Sequence, residues 1–277
     1  MNITGIIKDA FLFPSKNTGR FAIYLLLSVL MVGFIIGGDL TYAFGLFNSE
    51  NYLLGGIYLI IAMLIGFIIT GYHIKIIKSG IEHDEEVPVF ELYKDFMTGF
   101  DNIVVSIFYF IIPALIVVLV GYDTNIFGNA IAIFEEFLLQ IFNVFIMGNS
   151  VDIAVNAISN AVTNFVTSLA ITIAVALILF VIFSFIQAMA EARLANTGSL
   201  REALNILESV KDIKRIGVGR VILVTLLVVL IIAIIDIILL IAFNYYPFLI
   251  IIVYIIITPY LALFAQRALG LLYSDIA

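Results

Sequence analysis

Asp236 stands in the apolar run IIAIIDIILLIAF, with no residue of opposite charge nearby in sequence. An ionisable group in such a place is by default a proton or cation site turned toward the interior of a helix bundle. Counted from Arg220, it lies roughly 24 Å along its helix at 1.5 Å per residue, in the outer third of the hydrocarbon. The competing reading is a carboxyl that stays protonated or reaches interfacial water. Asp39 is a second intramembrane candidate, closer to the outer surface. Pro113 and Pro259 break two other apolar runs and free the carbonyls of Tyr109 and Ile255, and paired helix breaks can mark a transport site. In EHDEE, residues 82–86, His83 stands among Glu82, Asp84, Glu85 and Glu86. One His among adjacent carboxylates on a short loop lacks the spacing of a metal site, and a solvated acidic turn is the commoner meaning. There is no phosphate-binding glycine loop, no G-x-S-x-G elbow and no H-E-x-x-H. The chain has no Cys, which removes thiol and iron–sulfur chemistry. The sequence therefore predicts no catalytic residue, cofactor or metal.

The elements that must hold these residues are membrane helices. Of 277 residues 64% are hydrophobic and only 12% charged, and the mean hydropathy is +1.22. A soluble domain carries about a quarter of its residues charged, and it could not hide so much Ile, Leu, Val and Phe. Runs long enough to cross the bilayer's hydrocarbon, roughly 20 residues each, fall at about 21–46, 53–74, 103–121, 165–190, 216–243 and 247–270. The expectation is an all-α, polytopic six-helix transmembrane bundle forming a single membrane domain over 1–277, with amphipathic interfacial helices on both faces. Residues 1–20 form an N-terminal interfacial segment, which leads into an uncleaved first span.

All 13 Lys and Arg lie on one side of those six spans. Lys8, Lys16 and Arg20 precede the first; Lys75, Lys78 and Lys94 follow the second; Arg193, Arg201, Lys211, Lys214, Arg215 and Arg220 follow the fourth; Arg267 closes the sixth. Segments 47–52, 122–164 and 244–246 hold none. The positive-inside rule then puts both termini in the cytoplasm of a plasma-membrane protein. Tyr42, Phe47, Tyr52, Tyr122, Tyr245 and Tyr246 mark the outer interface, and Phe21, Tyr72 and Tyr273 the inner one.

Within 122–164, residues 126–147 are nearly apolar enough to span. Glu135 and Glu136 fall at their centre, however, and an extra crossing would carry six cations outside. Glu136, Gln140 and Asn143 make a polar stripe at helical spacing, so 126–147 is expected to be interfacial or re-entrant; Asn156, Asn160 and Asn164 repeat the pattern and extend the fourth span outward as an amphipathic helix, the whole forming an outer amphipathic segment. On the inner side KIIKSG (75–80), RLANTG (193–198) and the shorter RALG (267–270) read as helix stops, a cation near the last carbonyls followed by Gly. Two surface helices are expected after the first two stops. One begins at Pro88 and carries Phe90, Tyr93, Met97 and Phe100. The other begins with the Ser199/Glu202 capping box and carries Leu200, Leu204, Leu207, Val210 and Ile213. The recurring stop suggests a parallel repeat of returning helix, surface helix and leaving helix. Gly33 and Gly37 form a G-x-x-x-G, which permits close packing.

The stretch GYHIKIIKSGIEHDEEVPVF resembles the signature of the family called domain of unknown function 4013, a set of archaeal and bacterial multi-span membrane proteins. EARLANTGSLREALNILESVKDI resembles its second half. Gly71, Tyr72, Pro88 and Phe90 carry the match. The resemblance implies a membrane fold and brings no catalytic residue with it, and 122–164 looks like an elaboration.

The expected function is a non-enzymatic component that organises the membrane or binds lipids and partners. Its partners would be membrane lipids and proteins at the cytoplasmic surface helices; no basic groove serves a nucleic acid. The alternative is a small transporter or channel centred on Asp236.

Overall fold

The structure is a computed structural model and describes residues 1–45, 49–148 and 151–277. Phe47 and part of the 47–52 connection lie outside the described residues. Regular structure among those described is entirely helical. It comprises α1 (Ile3–Leu12), a 3-10 turn (Phe13–Lys16), α2 (Thr18–Gly45), α3 (Ser49–Ile81), α4 (Leu92–Asp123), α5 (Ile126–Phe145), α6 (Val151–Thr197), α7 (Leu200–Ala203), α8 (Ile206–Ile216), α9 (Val218–Phe243) and α10 (Pro247–Tyr273). Seven of these are long and apolar enough to cross a membrane: α2, α3, α4, α5, α6, α9 and α10. The seventh relative to the sequence reading is α5, which covers most of 126–147.

The chain forms two compact units, Met1–Ser106 with Ile186–Ala277, and Ile107–Phe185. In the first, buried side chains gather toward one polar end. Phe13, Tyr24, Ile69, Tyr72, Ile76, Val87 and Leu263 form its core cluster. Farther along the helices the apolar side chains are exposed, as at Leu26, Ile36, Leu226 and Ile252, which suits a lipid solvent. α3 packs on α2 and α10, α10 on α9, and α1 along α10.

In the second unit, α4 and α6 run antiparallel. Phe110 stacks on Phe180 with centroids 5.7 Å apart, and the hydroxyls of Thr124 and Thr172 meet at 3.3 Å. Asn125, at φ 53, turns the chain into α5. Asn129 then donates to Ser168 Oγ at 2.6 Å, and Ala130 to Phe137 face Ile158 and Phe165. Thus α5 continues along α6 in the direction α4 took. Asn156, Asn160 and Asn164 are exposed on α6, whereas Gln140 on α5 is buried and donates to Glu136 at 2.5 Å. α6 is 47 residues long, about 70 Å at 1.5 Å per residue.

Several expected boundaries move, each for a tertiary reason. RLANTG ends α6 as the sequence suggests, with Gly198 at φ 66. KIIKSG does not end α3, which runs through Gly80 to Ile81, and RALG does not end α10, which runs on to Tyr273. Both glycines instead serve a helix crossing: a Cβ on Gly80 would lie 2.9 Å from Gly270 Cα, and one on Gly270 would strike the Ile77 carbonyl. The turn after α3 is made by His83, at φ 54.

No helix starts at Pro88. Tyr72 Oη donates to the Pro88 carbonyl at 3.0 Å and Lys75 Nζ to the Val89 carbonyl at 3.2 Å, so α3 side chains hold that strip out of helical form. The helix begins at Leu92 and runs unbroken through the expected surface segment and third span. The second surface helix is two, α7 and α8. Ser199 accepts from Glu202 N at 3.4 Å, as the capping box requires, and Asn205 caps again by accepting from Glu208 N at 3.2 Å.

Candidate functional site

Gly71, Tyr72, Pro88 and Phe90, the residues that carry the resemblance, form one joint. Gly71 exists for contact: a Cβ there would strike the Asp95 carbonyl, and one on Gly99 would strike the Phe67 carbonyl, so α3 and α4 touch backbone to backbone. Tyr72 stacks on Phe90 with centroids 3.8 Å apart and planes 10° apart, while its hydroxyl holds the Pro88 carbonyl. The signature is therefore a structural clamp. α2 and α3 also approach closely at Gly38 and Gly55, each of whose added Cβ would lie 3.2 to 3.3 Å from the other's carbonyl, but not at Gly33, where nothing lies within 4 Å, nor at Gly37, in ordinary contact with Tyr58 at 3.5 Å.

At the polar end one arrangement occurs three times. At the start of α4, Glu91 just before the helix and Lys94 and Asp95 in its first turn spell E-x-x-K-D; on α8, Glu208, Lys211 and Asp212 spell it again. Asp95 pairs with Lys75 near the end of α3 at 2.6 Å, and Asp212 with Arg193 near the end of α6 at 2.8 Å. In each set the glutamate meets its own lysine, Glu91 to Lys94 at 2.7 Å and Glu208 to Lys211 at 2.6 Å. It also lies close to the partner cation, Lys75 at 2.9 Å and Arg193 at 3.6 Å. The third copy is reduced to Lys8–Asp9 on α1, and Asp9 pairs with Arg267 near the end of α10 at 3.0 Å. Each returning helix thus offers its cation to the aspartate that precedes the next leaving helix, and the three pairs close a cycle.

The aspartates of the first two sets are almost fully buried, at 0% and 1% exposure, and Arg267 is 2% exposed. Arg267 also donates to Ser79 Oγ at 3.1 Å and lies 4.1 Å over the Phe13 ring. Asp212 additionally accepts from Tyr273 at 3.0 Å and Arg215 at 2.9 Å. Burial opposes ionisation of the Asp9 carboxyl, yet hydrogen bonds and attraction from Lys16 and Arg267 outweigh it and hold its pKa below the usual value. Hydrogen bonds from Lys94 and Lys75 draw Glu91 down to about 2, and a hydrogen bond from Lys211 lowers Glu208. α8 buries Ser209, Asp212 and Ile216 and exposes Leu207 together with Lys211, Lys214 and Arg215, so its inward face is a mixed one that carries the paired aspartate.

Above this network α2, α3 and α10 line a cavity of about 340 Å³ that is open along one side, where Val29, Val32 and Ile255 are exposed. Its walls include Val29, Val32, Ile69 and Ile255, and its polar atoms come from Tyr24, Ser28, His73 and Thr258. The Tyr24 hydroxyl and His73 Nε2 share a hydrogen bond of 2.7 Å. Pro259 lines the same space, one turn beyond the Ile255 carbonyl it frees.

Asp236 lies partly buried in a separate groove of about 470 Å³ between α9 and α10, with Leu239, Phe243, Tyr254 and Ile255. No described residue forms a hydrogen bond or ion pair with it. Asn244 bonds back to the Leu240 carbonyl at 3.2 Å, and Thr172 is engaged with Thr124 in the other unit. Asp39 is exposed on α2, and residues 82–86 are exposed as a turn in which Lys78 meets Glu82 at 3.8 Å and Arg20 meets Glu86 at 3.7 Å.

Sequence reasoning had the cations but not their partners. The signal was present in the recurring K-D at 8–9, 94–95 and 211–212, each just before an apolar run. Tyr24 and His73 carry no such signal, since 49 residues separate them.

Apolar helices with exposed lipid-facing sides, tied at one end by buried ion pairs, define a multi-pass helical membrane protein. A family model described as "Protein of unknown function (DUF4013)" matches residues 54–244, and the chain belongs to that family. It is also similar to the "Uncharacterized protein MJ1189" of Methanocaldococcus jannaschii, 28% identical over 102 residues, which cover 34% of this chain and 35% of that protein. The match thus spans about a third of the relative's length. No solved structure matches.

Proposed function

We propose that the chain is a non-enzymatic plasma-membrane protein that holds an amphipathic, lipid-like molecule in the α2–α3–α10 cavity. One observation carries the reading: a space of about 340 Å³ with mostly aliphatic walls and, at its polar side, the hydrogen-bonded Tyr24–His73 pair. This is the build of a site for an apolar body with one polar group. In the same reading the polar end faces the cytoplasm with both termini, because the cations are gathered there. The chain crosses six times, α4 and α5 making one outward leg along α6. Two exposed apolar faces support contact with the inner leaflet and with partners: Tyr93, Met97 and Phe100 on α4, and Leu207 on α8. Native mass spectrometry of gently extracted protein tests the cavity. Wild type should carry a bound amphipath, and Ala262→Trp, which fills the space, should lose it while still unfolding cooperatively. Wild type without an adduct, or a filled variant that retains it, refutes the reading.

A second reading, a small transporter or channel, rests on the Asp236 groove sharing Tyr254 and Ile255 with the cavity beside Pro259, which lies within the continuous α10. It requires cation or proton flux in proteoliposomes that Asp236→Asn abolishes; equal flux in the two proteins removes it.

A further inference from the structure

Glu191 on α6 is a carboxylate within a membrane-capable helix, and no Lys, Arg or His among the described residues pairs with it. Arg193, two residues on, is committed to Asp212 at 2.8 Å. What surrounds Glu191 is neutral and polar. Gln187 Nε2 donates to Glu191 Oε1 at 2.7 Å and also to Ser106 Oγ at 3.0 Å. Asn102 of α4 bonds to Glu191 as well. Asn102 is 6% exposed, and its Oδ1 has no hydrogen-bond partner. One carboxyl group without a cationic partner and one buried orphan acceptor therefore lie together, with two further oxygen-bearing side chains beside them.

Both defects are costly in an apolar setting. An unmet buried acceptor forfeits the hydrogen bonds it made to water, and a carboxylate without a cationic partner is poorly solvated there. They are also complementary, since one monovalent cation would satisfy both at once. The donors are all oxygens, the choice of a hard cation; no imidazole or thiolate is present to select a transition metal. A single carboxylate balances a single positive charge, whereas a divalent ion would leave an excess charge in low dielectric.

We propose that Glu191, Asn102, Ser106 and Gln187 form a binding site for an alkali cation of the sodium class. This site is separate from the amphipath cavity and stands or falls without it. The carboxylate supplies the charge, Asn102 Oδ1 and Ser106 Oγ supply neutral ligands, and a turn of the Gln187 amide brings its oxygen to the same point. Because Asn102 and Ser106 belong to α4 while Gln187 and Glu191 belong to α6, the ion fastens those two helices together.

Purified wild-type protein in detergent is titrated with radiolabelled sodium by scintillation proximity, choline holding the ionic strength. The expected result is saturable binding that unlabelled sodium or lithium displaces and choline does not. Glu191→Gln should weaken it at least tenfold or so, the effect of losing the only charged ligand, while Glu82→Gln on the exposed turn leaves it unchanged. Should Glu191→Gln fail to fold, Ser106→Ala, which loses one neutral ligand, must still weaken binding. Infrared spectra of the wild type add a readout free of any variant, in which saturating sodium should leave no band of a protonated intramembrane carboxyl assignable to Glu191. Absence of saturable binding, wild-type affinity in Glu191→Gln or Ser106→Ala, or a Glu191 carboxyl protonated in saturating sodium overturns the proposal.

Discussion

Replacing Asp212 with Ala is the sharpest test of the three-pair cycle. The carboxylate accepts four hydrogen bonds, from Arg193 Nε at 3.1 Å, Arg193 Nη2 at 2.8 Å, Arg215 at 2.9 Å and Tyr273 at 3.0 Å. Once it is gone, Arg193, only 12% exposed, faces Glu208 at 3.6 Å and Glu202 at 3.9 Å, neither within hydrogen-bonding distance. Arg215 is 54% exposed and recovers water, so it contributes little to the loss. Removing one partner of a buried pair destabilises by about 3 to 5 kcal/mol, and the stranded Tyr273 hydroxyl keeps the value toward the top of that range. Removing both charges is different, because no unpaired ion remains. Arg193→Met with Asp212→Ala should therefore lose less than the two single variants summed, by roughly 2 kcal/mol or more. Circular dichroism during denaturant titration in detergent micelles gives all four corners of the cycle. A single variant that loses under about 1 kcal/mol, or a strictly additive double variant, refutes the claim that this pair is buried and coupled.

Gly71→Ala should separate α3 from α4, because its methyl meets the Asp95 carbonyl, and yield and thermal midpoint should collapse. Gly33→Ala, with nothing within 4 Å, should be neutral or slightly stabilising. Asp9, Glu91 and Glu208 have folded pKa values below their unfolded ones, so the stability they contribute is present above the unfolded values and is lost as pH falls through the folded ones. For Glu91 that window runs from 4.5 down to about 2. The thermal midpoint should be level at neutral pH and fall across it, with a shallower fall in Glu91→Gln; identical slopes would show the carboxylate to be uninvolved. With no native Cys, single thiols report topology cleanly. One at Lys211 should resist an impermeant reagent on intact cells and one at Asn160 should react, and the reverse pattern overturns the orientation.

The long helices are legible in the sequence because lipid-facing burial needs no period: a run of Ile, Leu, Val and Phe declares itself whatever it packs against. Gly198 and Ser199 were legible too, since a helix cap is a matter of neighbours in sequence. Gly80, Gly270 and Pro88 mislead for the opposite reason. Their local chemistry says stop or start, but Gly80 and Gly270 are spent on each other across a crossing, and the Pro88 carbonyl is held by Tyr72. Asp236 is conspicuous in the sequence because its run is otherwise apolar, and the structure puts it in an apolar groove without a described partner. Glu191 escaped notice because it sits near a charged helix end, where a carboxylate looks ordinary until Asn102 and Gln187 are seen against it. Of the aspartate pairs, only the cationic halves stood out, since the partners lie 19 to 258 residues away.

The bond between Asp9 and Arg267 has a consequence for how the protein is made. Its two halves are 258 residues apart in sequence, so the first helix emerges from the ribosome long before its guanidinium counterpart has been translated. Through nearly the whole of synthesis that carboxylate has only local company such as Lys16, 3.0 Å away in the finished fold. The clasp can fasten only once α10 has been made and brought beside α1, so this contact forms later than the α2–α3 packing that needs no residue beyond Ile81.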